Sequence, residues 1–138
     1  INQLSKILRS FGIEVIPMKL PQYNKSNSCF HLMSLISMID NNLAIGCLKL
    51  FPKNLISILK KYKIKLIQIP EDEYFQSKTL AVNILALSPR VLVLMKGYPK
   101  TEELLNRENC KLKLFEGREL CIKAEGGPTC LTRAIMRN

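Results

Sequence analysis

The chain has a single histidine, His31, and no tryptophan. With one imidazole, a zinc site would need three scattered thiols or carboxylates to converge, so the sequence predicts no metal, and no motif in it indicates another cofactor. The five cysteines are odd in number and include no Cys-x-x-Cys pair, which is atypical of a secreted disulfide framework. We therefore expect a reducing compartment, the cytoplasm, with the mitochondrion as the alternative.

A run of apolar residues long enough to cross a membrane is also missing. The longest apolar stretch, residues 83–95, is interrupted by Ser88-Pro89-Arg90 and is shorter than the roughly 20 residues that a transmembrane helix requires. The chain begins with a helical pattern at Ile1, without the series of charged, apolar and small residues that forms a signal peptide. We expect no membrane span, and a chain that is part of a longer protein.

Acidic residues are scarce: 11 Asp and Glu stand against 21 Lys and Arg, which gives a formal net charge of +10. Such a charge suits a partner rich in phosphate or carboxylate. The alternative is that the basic residues lie on solvated faces and that the rest of the protein balances their charge. The residues in question are Lys53, Lys60, Lys61, Lys63 and Lys65.

The hydrophobic content of the chain is sufficient for the core of one folded domain, since 47% of the 138 residues are hydrophobic. Three segments share a pattern in which apolar residues at helical spacing are followed by period-two alternation. The pattern recurs about every 50 residues, which indicates repeated helix-strand units. The segments are 4–18, 55–70 and 102–115, and their helix-to-strand junctions lie near Gly12, Lys63 and Asn109.

Further strands are predicted at 43–47, 83–87 and 91–95, the last two joined by a tight turn. Pro52 and Pro99 follow these strands and mark the starts of helices, a position where the missing N–H of proline is tolerated. Two strands before each helix-strand segment make a ββαβ module. The sequence therefore predicts an α/β fold built from such modules.

Cys130 is the first candidate for chemistry. It follows the Gly126-Gly127-Pro128 turn and precedes an apolar segment, 131–136, that is predicted to be a strand. A thiol at a strand entrance is accessible from solvent, and glycines allow a substrate or another backbone to approach closely. The alternative is a buried, inert cysteine beside an ordinary glycine turn.

His31 is the second candidate. It lies after a polar segment, 21–28, that reads as a loop delivering Cys29-Phe30-His31 to an edge or mouth of the fold. A histidine partner of a nucleophile must be near it in space and not in sequence, so the separation of the two residues neither supports nor excludes the pairing. A structural histidine is the alternative.

Taken together, four stretches resemble the C-terminal half of the pentein guanidino-group-modifying enzymes, which include dimethylarginine dimethylaminohydrolases, arginine deiminases and amidinotransferases. They are Cys-Phe-His-Leu (29–32), Ala-Val-Asn-Ile-Leu-Ala-Leu (81–87), Gly-Tyr-Pro-Lys-Thr-Glu-Glu-Leu-Leu (97–105) and Glu-Gly-Gly-Pro-Thr-Cys-Leu-Thr-Arg (125–133). The resemblance covers essentially the whole chain. It implies an α/β propeller of five ββαβ modules around a central cavity, of which residues 1–138 form a partial domain. The other half would be a missing N-terminal segment or a partner chain, and an oligomer is expected.

The resemblance also implies roles for individual residues. The thiolate of Cys130 would attack the guanidinium carbon of an arginine or methylarginine and form a covalent thiouronium intermediate. His31 would protonate the leaving amine and then activate water, giving citrulline, or pass the intermediate to an amine acceptor in an amidinotransferase. Asn83 would line the substrate cavity, and the backbone of Gly126 and Gly127 would lie close to the small guanidino substrate.

Two departures from the family concern the carboxylates that hold the guanidinium. The family takes them largely from an acidic Glu-Gly-Gly-Asp segment in its N-terminal half, and no such segment precedes Cys29. Several members have an aspartate two residues after the histidine, where this chain has Met33; other members lack it, so its loss bears more on the substrate than on membership of the family. The acidic cluster Glu71-Asp72-Glu73 is a possible guanidinium clamp or, alternatively, a solvated loop after a strand.

A second class of function stays open. The basic charge and the missing carboxylates also fit a catalytically inactive, pentein-derived structural subunit of a larger assembly, mitochondrial or ribonucleoprotein, and only this alternative includes nucleic-acid binding. Aromatic residues for base stacking are few, at 7% of the chain, and scattered.

Overall fold

The computed structural model describes residues 1–21 and 30–136. Cys29 therefore lies outside the described residues, as does most of the predicted loop 21–28. None of the helices in the described ranges could span a lipid bilayer.

Helices and strands alternate in an α/β arrangement with two three-stranded sheets, in the orders β1-β2-β3 and β4-β5-β6. In each sheet the first two strands are antiparallel, and the third strand runs parallel to the second after a helix. The predicted ββαβ arrangement is thus confirmed, although β1, the first strand of the first module, was not among the predicted strands. The elements are α1 (Asn2–Arg9), β1 (Ile36–Asp40), β2 (Leu43–Gly46), α2 (Lys53–Lys61), β3 (Lys65–Gln68), α3 (Glu71–Gln76), β4 (Leu85–Ser88), β5 (Val91–Met95), α4 (Pro99–Arg107), β6 (Lys111–Phe115) and α5 (Pro128–Leu131).

The predicted helix ends share one backbone geometry. Gly12, Lys63 and Asn109 have φ values of +70°, +54° and +58°. In each case the next residue donates its N–H to the carbonyl five residues earlier, which is the Schellman arrangement that closes a helix. The recurring junction in the sequence is therefore a recurring helix C-cap. The predicted helix starts are also observed, since α2 begins next to Pro52 and α4 begins at Pro99.

Two predicted strands are absent. Residues 13–18 follow α1 in the same way that β3 and β6 follow their helices, yet they form no strand. A strand needs a hydrogen-bonding neighbour, and the described residues offer this segment no counterpart of β2 or β5. Residues 131–136 likewise form no strand, because Pro128 starts the short helix α5, which takes in Leu131.

Within residues 1–21 and 30–136, one hydrophobic core joins the two modules. It is formed by side chains from both sheets, from α3 and α4, and from the segment before β4. Because one core serves both modules, the residues that carry the candidate site are fixed relative to one another. Its largest fully buried members include Ile39, Leu43, Ile45, Ile69, Tyr74, Val82, Leu92, Leu94 and Leu105.

Arg90 adds a polar link between the modules. Its N–H donates to the carbonyl of Ile39, 2.9 Å away, and its Nε donates to the carboxylate of Asp40 at 2.6 Å. The same guanidinium donates to the carbonyl of Glu108. The hydrogen bond from Arg90 lowers the pKa of Asp40 below its ordinary value.

Candidate active site

Cys130 lies in α5 and is exposed, whereas Cys47, Cys110 and Cys121 are buried. Burial raises the pKa of each of these three buried thiols, which keeps them protonated and unreactive at neutral pH. Among the described cysteines, Cys130 is the one that a substrate can reach. The predicted accessibility of this thiol is therefore observed, although it sits on a helix and not at a strand entrance.

Both polar atoms of the Asn83 side chain contact helix α5. Its Nδ2 lies 2.8 Å from Sγ of Cys130 and donates to the sulfur. Its Oδ1 accepts the backbone N–H of Thr129 at 3.0 Å. Asn83 itself is buried, with 6% of its surface exposed. The amide thus links the sulfur to a buried part of the fold.

The backbone around Asn83 is held in turn by Ser37 of β1. Asn83 ends a single 3₁₀ turn, Leu80–Val82. The buried hydroxyl of Ser37 donates to the carbonyl of Val82 at 2.5 Å and accepts the N–H of Ile84 at 3.3 Å. Both peptide units that flank Asn83 are therefore anchored to the first module.

The two glycines make room for this contact. A Cβ on Gly127 would lie 2.5 Å from Cγ of Asn83, and a Cβ on Gly126 would lie 3.0 Å from Cβ of Cys130. The sequence predicts that glycine permits a close approach here, and the group that approaches Gly127 is the Asn83 side chain. That the backbone of both glycines lies close to a substrate stays a prediction.

His31 precedes a second 3₁₀ turn, Leu32–Ser34, and is half-buried. Its carbonyl accepts the N–H of Ser34 at 2.9 Å, and the carbonyl of Ser34 accepts the hydroxyl of Tyr74 at 2.8 Å. This turn packs against Leu80–Val82, which leads directly to Asn83. The backbone that carries His31 is therefore anchored beside the segment that holds Cys130.

The imidazole makes no hydrogen bond to Cys130 in the described part of the chain. Its Nδ1 is buried and has no hydrogen-bond partner among the described residues. The structure thus brings together Asn83, Gly126, Gly127 and Cys130, while the pairing of His31 with the thiol stays a prediction.

The acidic cluster is engaged in contacts within the protein. Glu71 pairs with Lys49, and Asp72 pairs with Lys100, whose hydrogen bond lowers the pKa of that carboxyl. Glu73 is buried and accepts hydrogen bonds from the first turn of α4. These contacts give all three carboxylates partners within the protein. The predicted solvated loop is wrong, because the cluster starts helix α3 and Glu73 is buried; that the cluster clamps a guanidinium is not supported by its contacts.

Sequence reasoning missed the contact between Asn83 and Cys130 and the role of Ser37. The residues that make these hydrogen bonds are separated by 45 or 47 positions along the chain, and no local pattern marks them as neighbours. The one available signal was that Asn83 is polar within an otherwise apolar stretch, Ala81–Leu87.

Sequence comparison gives no match to any protein-family model and none to curated proteins. Solved structures do match. Dimethylarginine dimethylaminohydrolase (DDAH) from Pseudomonas aeruginosa, as a cysteine-to-serine mutant complexed with citrulline, superposes with a TM-score of 0.68 at 19% identity. A histidine-to-glycine DDAH adduct with S-methyl-L-thiocitrulline gives 0.67 at 20% identity. SxtG, an amidinotransferase from Microseira wollei in the saxitoxin biosynthetic pathway, gives 0.68 at 15% identity.

These matches cover most of this chain but less than half of each known structure. For the two DDAH structures the alignment covers 93% and 94% of this chain and 43% and 44% of theirs. For SxtG it covers 80% of this chain and 32% of the amidinotransferase.

Proposed function

Because the chain has the fold of the pentein superfamily, we propose that it is part of a hydrolase that cleaves a C–N bond of a small guanidino substrate, arginine or a methylarginine, and forms citrulline. Cys130 is the nucleophile and His31 the general acid and base. The observation that carries the proposal is the exposed thiol of Cys130, held by Asn83 in a fold shared with dimethylarginine hydrolases.

In the proposed reaction the thiolate of Cys130 attacks the guanidinium carbon, and a C–S bond forms. The C–N bond of the tetrahedral adduct then breaks, and the amine leaves with a proton from the imidazolium of His31. The neutral imidazole next takes a proton from water as the water oxygen bonds to the same carbon. The C–S bond breaks, which regenerates the thiolate and releases citrulline, and the proton lost by the new urea group goes to the amine. An amine acceptor in place of water gives amidino transfer.

The placement of His31 supports this role for the histidine. It directly precedes the 3₁₀ turn Leu32–Ser34, which packs against Leu80–Val82, the turn that leads to Asn83 and its contact with Cys130.

The guanidinium ligands are the part of the site that this chain does not supply. A resonance-stabilised cation becomes a good electrophile only where carboxylates hold it and its leaving amine is protonated. Because Glu71, Asp72 and Glu73 are engaged elsewhere, we propose that the carboxylates come from an N-terminal half or a partner chain. Asn83, Gly126 and Gly127 remain proposed neighbours of the substrate.

The test is turnover by the complete protein, with any partner chain. Incubation with arginine and with dimethylarginine is expected to yield citrulline, and a haloacetamidine is expected to label Cys130 covalently. The Cys130→Ser variant should show neither. Absence of both turnover and labelling in the unsubstituted protein would refute the hydrolase. If such a protein instead bound RNA with an affinity that falls steeply with salt, the structural subunit would be favoured.

One observation supports the alternative of a structural, RNA-binding subunit, namely the exposure of many basic side chains. Exposed lysines lie on α2 and on the edge strand β6. A simpler account is that they keep the protein soluble and prevent the sheet edge from pairing with another chain. They are Lys53, Lys60, Lys61, Lys111 and Lys113. For the hydrolase we expect a cytoplasmic location, with the mitochondrion as the alternative.

Residues 1–138 alone are expected to be inactive and to self-associate. Helix α1 buries none of its residues, and Leu4, Ile7 and Phe11 are 52%, 61% and 74% exposed. Exposed apolar helix faces and unpaired sheet edges drive association until other modules cover them. Size-exclusion chromatography of the chain should show oligomers, and Ile7→Lys should shift the profile toward the monomer. A stable, active monomer would contradict the expectation.

A further inference from the structure

We propose that Asn83 is a positioning residue for the Cys130 thiolate, acting through a hydrogen bond from its amide to the sulfur. The inference rests on the proposed function, in which Cys130 is the nucleophile. It differs from the role that the sequence suggests for Asn83, because the partner of the amide is the protein's own sulfur.

The two contacts of the amide determine which way it faces. The backbone N–H of Thr129 is a donor, so the amide must present its oxygen to it. The NH₂ group is then directed at Sγ of Cys130, 2.8 Å away. The sulfur must therefore act as an acceptor, which a thiolate does better than a thiol.

The position of Asn83 is fixed before any substrate binds. Ser37 anchors the peptide units on both sides of it, and its own N–H donates to the carbonyl of Leu80 at 3.0 Å. Gly127 leaves the space that the Asn83 side chain fills, since any Cβ there would overlap with it. A donor held in this way needs no reorganisation when negative charge develops on the sulfur.

Besides His31, whose imidazolium the proposed reaction brings to the thiolate, the groups to consider near Cys130 are those of β5, Cys121, Glu125 and Arg133. Helix α5 packs against β5, whose residues Val91–Met95 carry no titratable group. Cys121, whose pKa is raised by its burial and further by charge on Cys130, stays neutral. Glu125 and Arg133, on either side of α5, are exposed and of opposite charge.

The experiment measures the rate of Cys130 alkylation by iodoacetamide against pH. Asn83→Asp is the sharpest variant, because an aspartate keeps an oxygen for Thr129 and places a carboxylate where the donor was. We expect its rate near neutral pH to fall by roughly tenfold or more and the midpoint of its pH–rate profile to rise. In Asn83→Ala, which removes the donor without adding charge, the alkylation rate should fall less. Asn54→Asp, an exposed position in the first turn of α2, adds the same charge elsewhere and should leave the profile unchanged.

A second measurement uses the unsubstituted chain, in case the variants fail to fold. The side-chain amide resonances of Asn83 in a ¹H–¹⁵N spectrum should titrate with the midpoint of the alkylation profile. Amide resonances that do not respond to pH, or a folded Asn83→Asp protein with an unchanged profile, would overturn the proposal. Neither readout needs a guanidino substrate. If the complete protein, with any partner chain, showed this coupling but no citrulline formation, the proposed reaction would fail and the role of Asn83 would stand.

Discussion

Replacing His31 by alanine in the complete protein is expected to lower citrulline formation by about 10²–10⁴-fold, the range that a general acid and base contributes. His31 is the one imidazole in residues 1–138, so no other histidine of this part of the protein can replace it. Initial rates with saturating substrate measure the effect. Added imidazole should restore part of the activity, because a small base can enter the space that the side chain leaves.

The reactivity of the Cys130 thiol is the control for this substitution. Alkylation of Cys130 by iodoacetamide does not require a leaving group to be protonated, so the His31→Ala protein should still be labelled. Tyr74→Phe provides a matched structural control, since it removes the hydroxyl that binds the carbonyl of Ser34 and leaves the imidazole in place. If Tyr74→Phe lost as much activity as His31→Ala, and imidazole rescued neither, His31 would be a structural residue.

The modules could be predicted from the sequence because their signals are local. A proline at the start of a helix and a left-handed residue at its end act over a few residues, and the alternation of β5 at Val91–Met95 is read from the strand itself. The match to the ββαβ arrangement follows from these local signals. Strand β1 (Ile36–Asp40) was not predicted, because Ser37 is polar but lies on the buried face of the strand, where it binds Val82 and Ile84.

The candidate site was only partly predictable because its key contact is not local. Motif order identified Cys130 and His31, and exposure of the thiol agrees with the first assignment. The strand expected at 131–136 was wrong, since the proline that ends the glycine turn also starts a helix. Nothing in the sequence shows that Asn83 reaches the sulfur or that Glu73 reaches another helix, since both contacts depend on tertiary packing.

Glu73→Ala is expected to destabilise the chain by about 3 kcal/mol, the largest loss of stability that we predict for a single side chain. Glu73 lies in α3 but accepts the N–H groups of Lys100 and Thr101 at 2.8 Å, and the hydroxyl of Thr101 at 2.7 Å. It therefore caps α4, whose own N-cap residue, Tyr98, makes no side-chain cap hydrogen bond. Its negative charge also lies favourably at the positive end of the helix.

The loss is large because the groups left behind are buried. Thr101 is fully buried and Glu73 is 7% exposed, so water cannot replace the carboxylate at low cost. Urea unfolding should show the lower stability, and for a chain of 138 residues the melting temperature should fall by roughly 10 °C. Glu71→Ala is the matched control on the same helix, since Glu71 is exposed and its pair with Lys49 is worth at most about 1 kcal/mol. Equal losses for the two variants would show that α4 does not depend on this cap.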